Sequence, residues 1–423
     1  MAVLLPDLVP VRQPLFSDPV PDIPAAAASA LAATGIRDRI RRGDRVAITA
    51  GSRGIAQIAA ILRAVVATLA EWGARPFLVP AMGSHGGATA EGQRQLLAET
   101  FGITESAMGC PILSSMDVAE LGRTPEHDLP VYLDRHAASA DAIVVVNRVK
   151  PHTDFTGPVE SGLMKMITIG LGKRAQAESV HAYGAWGLRE LVPEVARAKI
   201  ARSRIVGGLA ILEDGRDQTH RIVGVPAEGI ATEEPRLLCR AREIMAKLPW
   251  PSLDLLIVDR IGKEISGAGM DPNVIGRKRI EGEPEFSSPR IERIVVRDLT
   301  DESHGNGIGT GLADIITRRL YDRIDWEVTN TNSLVSGFTQ RSMVPFVADS
   351  DRHALETARY LLRRKPVEQL RVARIRDTLH LEQLWASENL LAEVPGLTVL
   401  GPPAPVQFDD AGRLVEPAVP AVA

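Results

Sequence analysis

Cysteine is scarce in this chain: Cys110 and Cys239 are the only two. They are far apart and form no metal-like pair, which excludes a disulfide framework and an iron–sulfur cluster. Both read as buried thiols in a reducing compartment. Aromatic residues make up only 4% of the chain, so the core must rest on Ala, Val, Ile and Leu. A formal net charge of −4 gives no general electrostatic reason to bind nucleic acid or an anionic membrane. The short basic run Arg277-Lys278-Arg279 reads as a solvated surface or a single anion contact. No run of roughly 18 apolar residues occurs, so no membrane span is expected. Met1 to Pro24 lacks a positive leading region and is broken by prolines, so it does not read as a signal peptide. The expectation is a soluble, cytoplasmic protein with neither nucleic acid nor membrane as a partner.

What is present is ordinary globular material: 45% apolar and 24% charged residues over 423 positions, enough for two or three domains. Asp44 to Ala50 reads as a buried strand, Gly51-Ser52-Arg53-Gly54 as a turn, and Ile55 to Leu69 as a helix closed by Gly73. Arg75 to Ala81 is the next strand and Gly83 to Gly87 the next loop. Thr89 is placed to cap a helix running to Phe101. Asp141 to Asn147 is a third strand. Helical pattern resumes at Trp186 to Ile200, with Pro193 at a start or kink, and Ile205 to Leu212 is another strand. The prolines of Leu248-Pro249-Trp250-Pro251 mark a boundary, after which Leu253 to Asp259 and Ile294 to Arg297 read as strands. Leu312 to Tyr321 and Arg352 to Arg364 read as helices. Alternation of this kind predicts an α/β protein of two domains, each a mostly parallel sheet flanked by helices. The expected boundaries are 1–248, 252–395 and an irregular tail at 396–423.

In open parallel sheets, ligands sit beyond the carboxyl ends of the strands. Arg53, His85 and His152 each follow one of the first three strands. Taken singly, each reads as a surface charge or an ordinary hydrogen-bonding side chain. Together, at equivalent strand ends, they read equally well as a site. Gly170-Leu171-Gly172-Lys173 is not a phosphate-binding loop. Ile167 stands where its first glycine belongs, and Arg174 where its Ser or Thr belongs. Lys165 lies in a mostly apolar stretch, Leu163 to Ile169. It is either a snorkelling surface lysine or a partly desolvated, nucleophilic amine. His181 alone would be an ordinary helix-start histidine.

The segment from Pro151-His152 through Lys165 to His181 resembles the nickel-pincer lactate racemases and their homologues. Lys165 and His181 are separated by sixteen positions, the family's spacing. Gly83-Ser84-His85 is similar to the family's Gly-Thr-His, and Ser52-Arg53 to its carboxylate-gripping arginine. The resemblance implies a racemase or epimerase of a small-molecule 2-hydroxyacid, with its active site in the inter-domain cleft. It implies nickel held in a pyridinium-3,5-bisthiocarboxylic acid mononucleotide, linked through Lys165 and completed by His181. It further implies His85 and His152 as the acid–base pair, Arg53 as the substrate-carboxylate contact, and cofactor-biosynthesis enzymes as partners. Nickel(II) suits a square-planar set of soft donors with one imidazole, and two imidazoles can cycle protons near neutrality.

The chain also departs from the family's pattern. Thirteen positions separate His152 from Lys165, a longer gap than in the lactate racemases, and Ala50 stands where an acidic residue is expected. Met270-Asp271-Pro272-Asn273 resembles a pocket motif of the second domain, with Gly276, Arg277, Lys278 and Arg279 nearby. These differences point away from lactate itself, toward another hydroxyacid. Two other readings remain open from the residues: a hydrolase or isomerase using a metal without the pincer, and a protein that only binds nickel or a nucleotide.

Overall fold

A computed structural model describes residues 5–52 and 54–415. The chain divides into two compact units, one of Phe16–Met245 and one formed by the residues up to Leu15 together with those from Ala246 onward. The first strand, β1 (Leu8–Arg12), therefore belongs to the later unit. The expected boundary at 1–248 had kept these residues with the N-terminal domain. They leave it because β1 pairs antiparallel with a strand near the end of the chain, Leu8 opposite Ser387 and Arg12 opposite Gln383.

The unit Phe16–Met245 is built on β2 (Arg45–Ala50), β3 (Arg75–Pro80), β4 (Val118–Arg123), β5 (Pro130–Asp134), β6 (Ala142–Arg148), β7 (Ile205–Glu213) and β8 (Thr219–Pro226). Its main sheet has the order β3-β2-β6-β7-β8. The first four strands are parallel, and β8 returns antiparallel to β7. β4 and β5 form a separate antiparallel hairpin. The central strands carry long apolar runs because both faces are covered, as a parallel sheet requires. Val46, Ile48, Val144 and Val146 pack with Ile61, Leu62 and Val65 of the helix Ile58–Glu71 and with Leu31 of the helix Ile23–Ala33. On the helix Ile230–Ile244 the buried positions are Ile230, Glu234, Leu238, Ala241 and Ile244. Cys239 falls off that stripe and is exposed, contrary to its expected burial, whereas Cys110 is buried.

The second unit carries β9 (Ser252–Ile261), β10 (Arg290–Leu299), β11 (Ile315–Thr317), β12 (Phe346–Ala348), β13 (Val372–Ile375), β14 (Gln383–Ser387) and β15 (Thr398–Val399). With β1 they form one sheet, ordered β12-β11-β10-β9-β13-β14-β1-β15. Its first five members are parallel and the rest antiparallel. The fold is thus α/β, two mostly parallel sheets flanked by helices. The helix expected over Leu312 to Tyr321 is instead β11 followed by a short helix, Arg318–Asp322. Ile315 and Ile316 pair with Val295 and Val296, and that tertiary ladder overrides the local helical pattern. Nor is the basic run a solvated face. Arg277 and Arg279 both reach Asp314, at 2.7 and 3.4 Å, and Lys278 is buried over the Phe286 ring. The described part of the tail, 396–415, is anchored as well: Ala404 bridges to Leu8, Phe408 to Leu414, and Leu414 is buried. No helix among the described residues is long and apolar enough to cross a membrane.

Candidate functional site

β2, β3 and β6 end on the same side of their parallel sheet, and the loops that follow carry Ser52, His85 and His152. β2 lies between the other two, so the His85 and His152 loops leave the sheet about 10 Å apart, two strand spacings. Arg53, the expected carboxylate contact, lies outside the described residues.

Nδ1 of His85 sits 2.5 Å from the Ser52 hydroxyl, which ties the β3 loop to the β2 loop. Gln93, fully buried on the helix Ala90–Phe101, donates to the carbonyls of Gly83 and His85 at 2.9 and 3.2 Å. Its own oxygen accepts from Nζ of Lys173 at 3.0 Å. That lysine is also buried. It donates to the Pro80 carbonyl at the end of β3 and stands 3.2 Å from Asp134. Burial lowers the Lys173 ammonium from its usual range, and Asp134 opposes the shift. The residue that ends the false phosphate loop is therefore a structural tie behind the His85 loop. Thr89 caps its helix as expected, accepting from Gly92 N at 3.0 Å.

His152 is held from several sides. Its amide donates to Glu160 at 2.7 Å, and its ring stacks at a tilt on Phe155, centroids 4.8 Å apart. Nδ1 accepts from the Asp154 amide at 3.0 Å. A neutral ring then carries its proton on Nε2, and Nε2 is the atom in contact with Nζ of Lys165. Glu160 is itself buried, taking a second amide from Gly157 at 2.9 Å and the Arg242 guanidinium at 2.5 Å. Burial pushes its carboxyl upward against those partners.

Lys165 ends a helical turn, Leu163–Lys165, that continues as a π-helical turn, Met166–Gly170. This segment packs on the loops at the strand ends. A Cβ at Gly51 would touch Met166 at 3.0 Å, and one at Gly83 would touch Ile169 at 3.0 Å, so glycine at each permits the close approach. The helix Lys173–His181 follows and ends at His181. His181 keeps an exposed edge, but the protein around it lowers its imidazole below the ordinary histidine value. Lys165 adds to the shift by charge repulsion, and Asp154 opposes it. Four of the expected residues thus lie on loops and helices that pack together: His85 and His152 at strand ends, Lys165 against His152, and His181 within electrostatic reach of Lys165.

Several contributors went unseen in the sequence: Ser52 as a partner of His85, Glu160 behind His152, and the Gln93–Lys173–Asp134 tie. Among the described residues one group has metal-ligand geometry: Glu126, His127 and Glu194, with ligand atoms within 4.8 Å of one another. Glu194 there accepts the amides of Glu126 and His127 at 3.0 and 3.2 Å and faces His127 Nδ1 at 2.7 Å. It anchors the β4–β5 turn.

Residues 11–187 match the lactate racemase N-terminal domain. No curated protein matches the chain. Among solved structures, it is similar to a protein from Thermotoga maritima at 12% identity and a TM-score of 0.47, over 67% of this chain and 72% of that one. It is also similar to the lactate racemase apoprotein from Thermoanaerobacterium thermosaccharolyticum, at 12% identity and a TM-score of 0.47, over 81% of this chain and 87% of that one. The stretch that matches the lactate racemase N-terminal domain contains Ser52, His85, His152, Lys165 and His181.

Proposed function

We propose that the chain is a racemase or epimerase of a 2-hydroxyacid that uses a nickel-pincer nucleotide joined to Lys165 and ligated by His181. One observation carries this reading. A primary amine in contact with an imidazole at Lys165–His152 lies on a segment packed against the strand-end loops, with a second imidazole, His181, within electrostatic reach of Lys165.

The donor set fits the implied group. Acyl linkage needs an amine, and metal ligation needs an unprotonated imidazole nitrogen. The protein around its ring and the Lys165 charge both push His181 toward its neutral form, although its side chain is exposed. When bound, the pincer supplies the acceptor and donor of the substrate hydride. The chain's own residues would do the rest. His152, with Nε2 turned to the site and its ring fixed by Glu160, Asp154 and Phe155, exchanges a proton with the substrate hydroxyl from one side. His85, fixed through Nδ1 by Ser52, serves the other side from the neighbouring loop. The separation of about 10 Å between those loops leaves room for a small hydroxyacid. Arg53, next to Ser52, would pair with its carboxylate. Partners in this reading are the 2-hydroxyacid and the cofactor-biosynthesis enzymes, in the cytoplasm.

The test is intact-mass analysis of protein produced beside those enzymes. A thionucleotide adduct that maps to Lys165 and disappears in Lys165→Arg is the expected result. An unmodified Lys165 under those conditions would overturn the proposal. With loaded protein, hydrogen at C2 should return without solvent deuterium. Wash-in at C2 would indicate direct proton abstraction instead. Metal retained by Lys165→Ala but lost in a His85/His152 double variant would favour a metal enzyme without the pincer.

A further inference from the structure

Two ionisable side chains that no acid–base role uses are buried at the two ends of the segment bearing Lys165. Glu234, 1% exposed on the helix Ile230–Ile244, faces the amino end. Its Oε2 accepts from Met164 N at 2.9 Å. A Cβ at Gly162 would overlap that carboxylate, so the approach depends on glycine there. Oε1 of Glu234 has no hydrogen-bond partner. Lys199, fully buried on the helix Val192–Arg202, faces the carbonyl end. Its Nζ donates to Ile167 O at 3.0 Å and to Thr168 O at 2.8 Å.

Donor and acceptor match the backbone: a carboxyl oxygen meets an amide at one end, and a lysine amine meets two carbonyls at the other. Burial pushes both groups toward their neutral forms, and burying either polar group is costly unless it is hydrogen-bonded. The segment between them is eight residues long and partly π-helical, a geometry with little stability of its own. Asn147 adds a third tie, donating to Gly162 O at 2.7 Å from the end of β6.

We infer that Glu234 and Lys199 are positioning residues: together they hold the Leu163–Gly170 segment by its two ends and so fix the Lys165 amine against His152. The inference rests on the reading of Lys165 as the functional amine. Its test needs neither nickel nor nucleotide, so it stands or falls separately from the adduct measurement.

Purified protein is pulse-acylated with acetic anhydride, and modification of Lys165 is measured by mass spectrometry against Lys365, a lysine of the other unit. Amide exchange across 163–170 is followed in parallel. Glu234→Ala and Lys199→Met each free one end, so acylation of Lys165 and exchange of the segment should rise about tenfold. Glu234→Gln keeps an acceptor oxygen and should stay within about twofold of the parent. Folded Ala and Met variants with unchanged Lys165 reactivity would overturn the inference, and so would a Gln variant behaving like Ala. Should the Ala variant not fold, Glu234→Asp, one methylene short, carries the test. A rise of about threefold is then expected, and no rise overturns the inference.

Discussion

Glu234 stores a proton-linked energy that its neighbours only partly offset. Burial raises its carboxyl from the ordinary 4.5 to about 7, while the Met164 and Leu163 amides pull the other way. Between those two values the folded chain holds a proton there that the unfolded chain has released. Stability conferred by this group is therefore full below the lower value, falls as pH rises through the window, and is flat above it. The loss amounts to about 3 kcal/mol. Glu234→Gln cannot titrate, so its stability should fall by about that much less than the parent's between pH 5 and pH 8. Denaturant titrations at the two pH values check this, and parallel slopes for parent and variant would refute it. The sequence offered no sign of the residue's role. Glu233 and Glu234 are adjacent and chemically identical, and only the helix phase turns the second one inward. Lys173 and Lys199 were hidden for the same reason: charge is read as exposure, and burial of a charge is decided by tertiary partners. His85 and His152 could be picked out because they follow strand ends, whereas Lys165 and His181 stood out only through a sixteen-residue spacing that resembles the lactate racemase pattern.

The β3 loop shows how an element can depend on one glycine. Gly86 has φ +65°, and a Cβ there would come within 2.6 Å of Gln93 N and 2.7 Å of Gly92 C. Both contacts are backbone of the helix that Thr89 caps, so neither can swing away. Gly86→Ala should cost about 1–3 kcal/mol and displace Gln93 from the carbonyls of Gly83 and His85. A lowered melting temperature together with faster amide exchange at 83–88 is the expected result. An unchanged loop would show that the helix can move as a body. The elements legible in the sequence were those with one dominant signal. β2, β3 and β6 are short apolar runs between turn residues, and the helix Ile58–Glu71 has a regular apolar stripe. β4 and β5 were missed because Val118–Arg123 carries Glu120 and Arg123 and stays half exposed, without the burial that makes a strand obvious. β11 was missed because its three residues are defined by a partner strand and by nothing local.

At the scale of the whole chain, the first strand is the feature that sequence order conceals. Reading from the amino terminus assigns it to the first domain, but its hydrogen bonds go to β14 and β15, more than 370 residues away. Leu8, Val9 and Val11 are buried in the later unit. The Gln13 side chain, also buried, donates to the carbonyls of Lys247 and Leu381 at 3.1 and 2.6 Å. Removing residues 1–15 would forfeit roughly 1.5–3 kcal/mol for each of those three apolar side chains. It would also leave one edge of β14 unpaired. Domains of this kind are stable by only about 5–15 kcal/mol, so the loss is comparable with the whole margin. The truncated chain should therefore lose amide protection across Gln383–Ser387 and become protease-sensitive beyond Ala246. Protection of Ala142–Arg148, whose sheet contains no part of the deleted strand, should persist. Retained protection at Gln383–Ser387 would mean that β1 decorates that sheet without holding it. Loss of protection in both places would mean that the two units do not unfold independently.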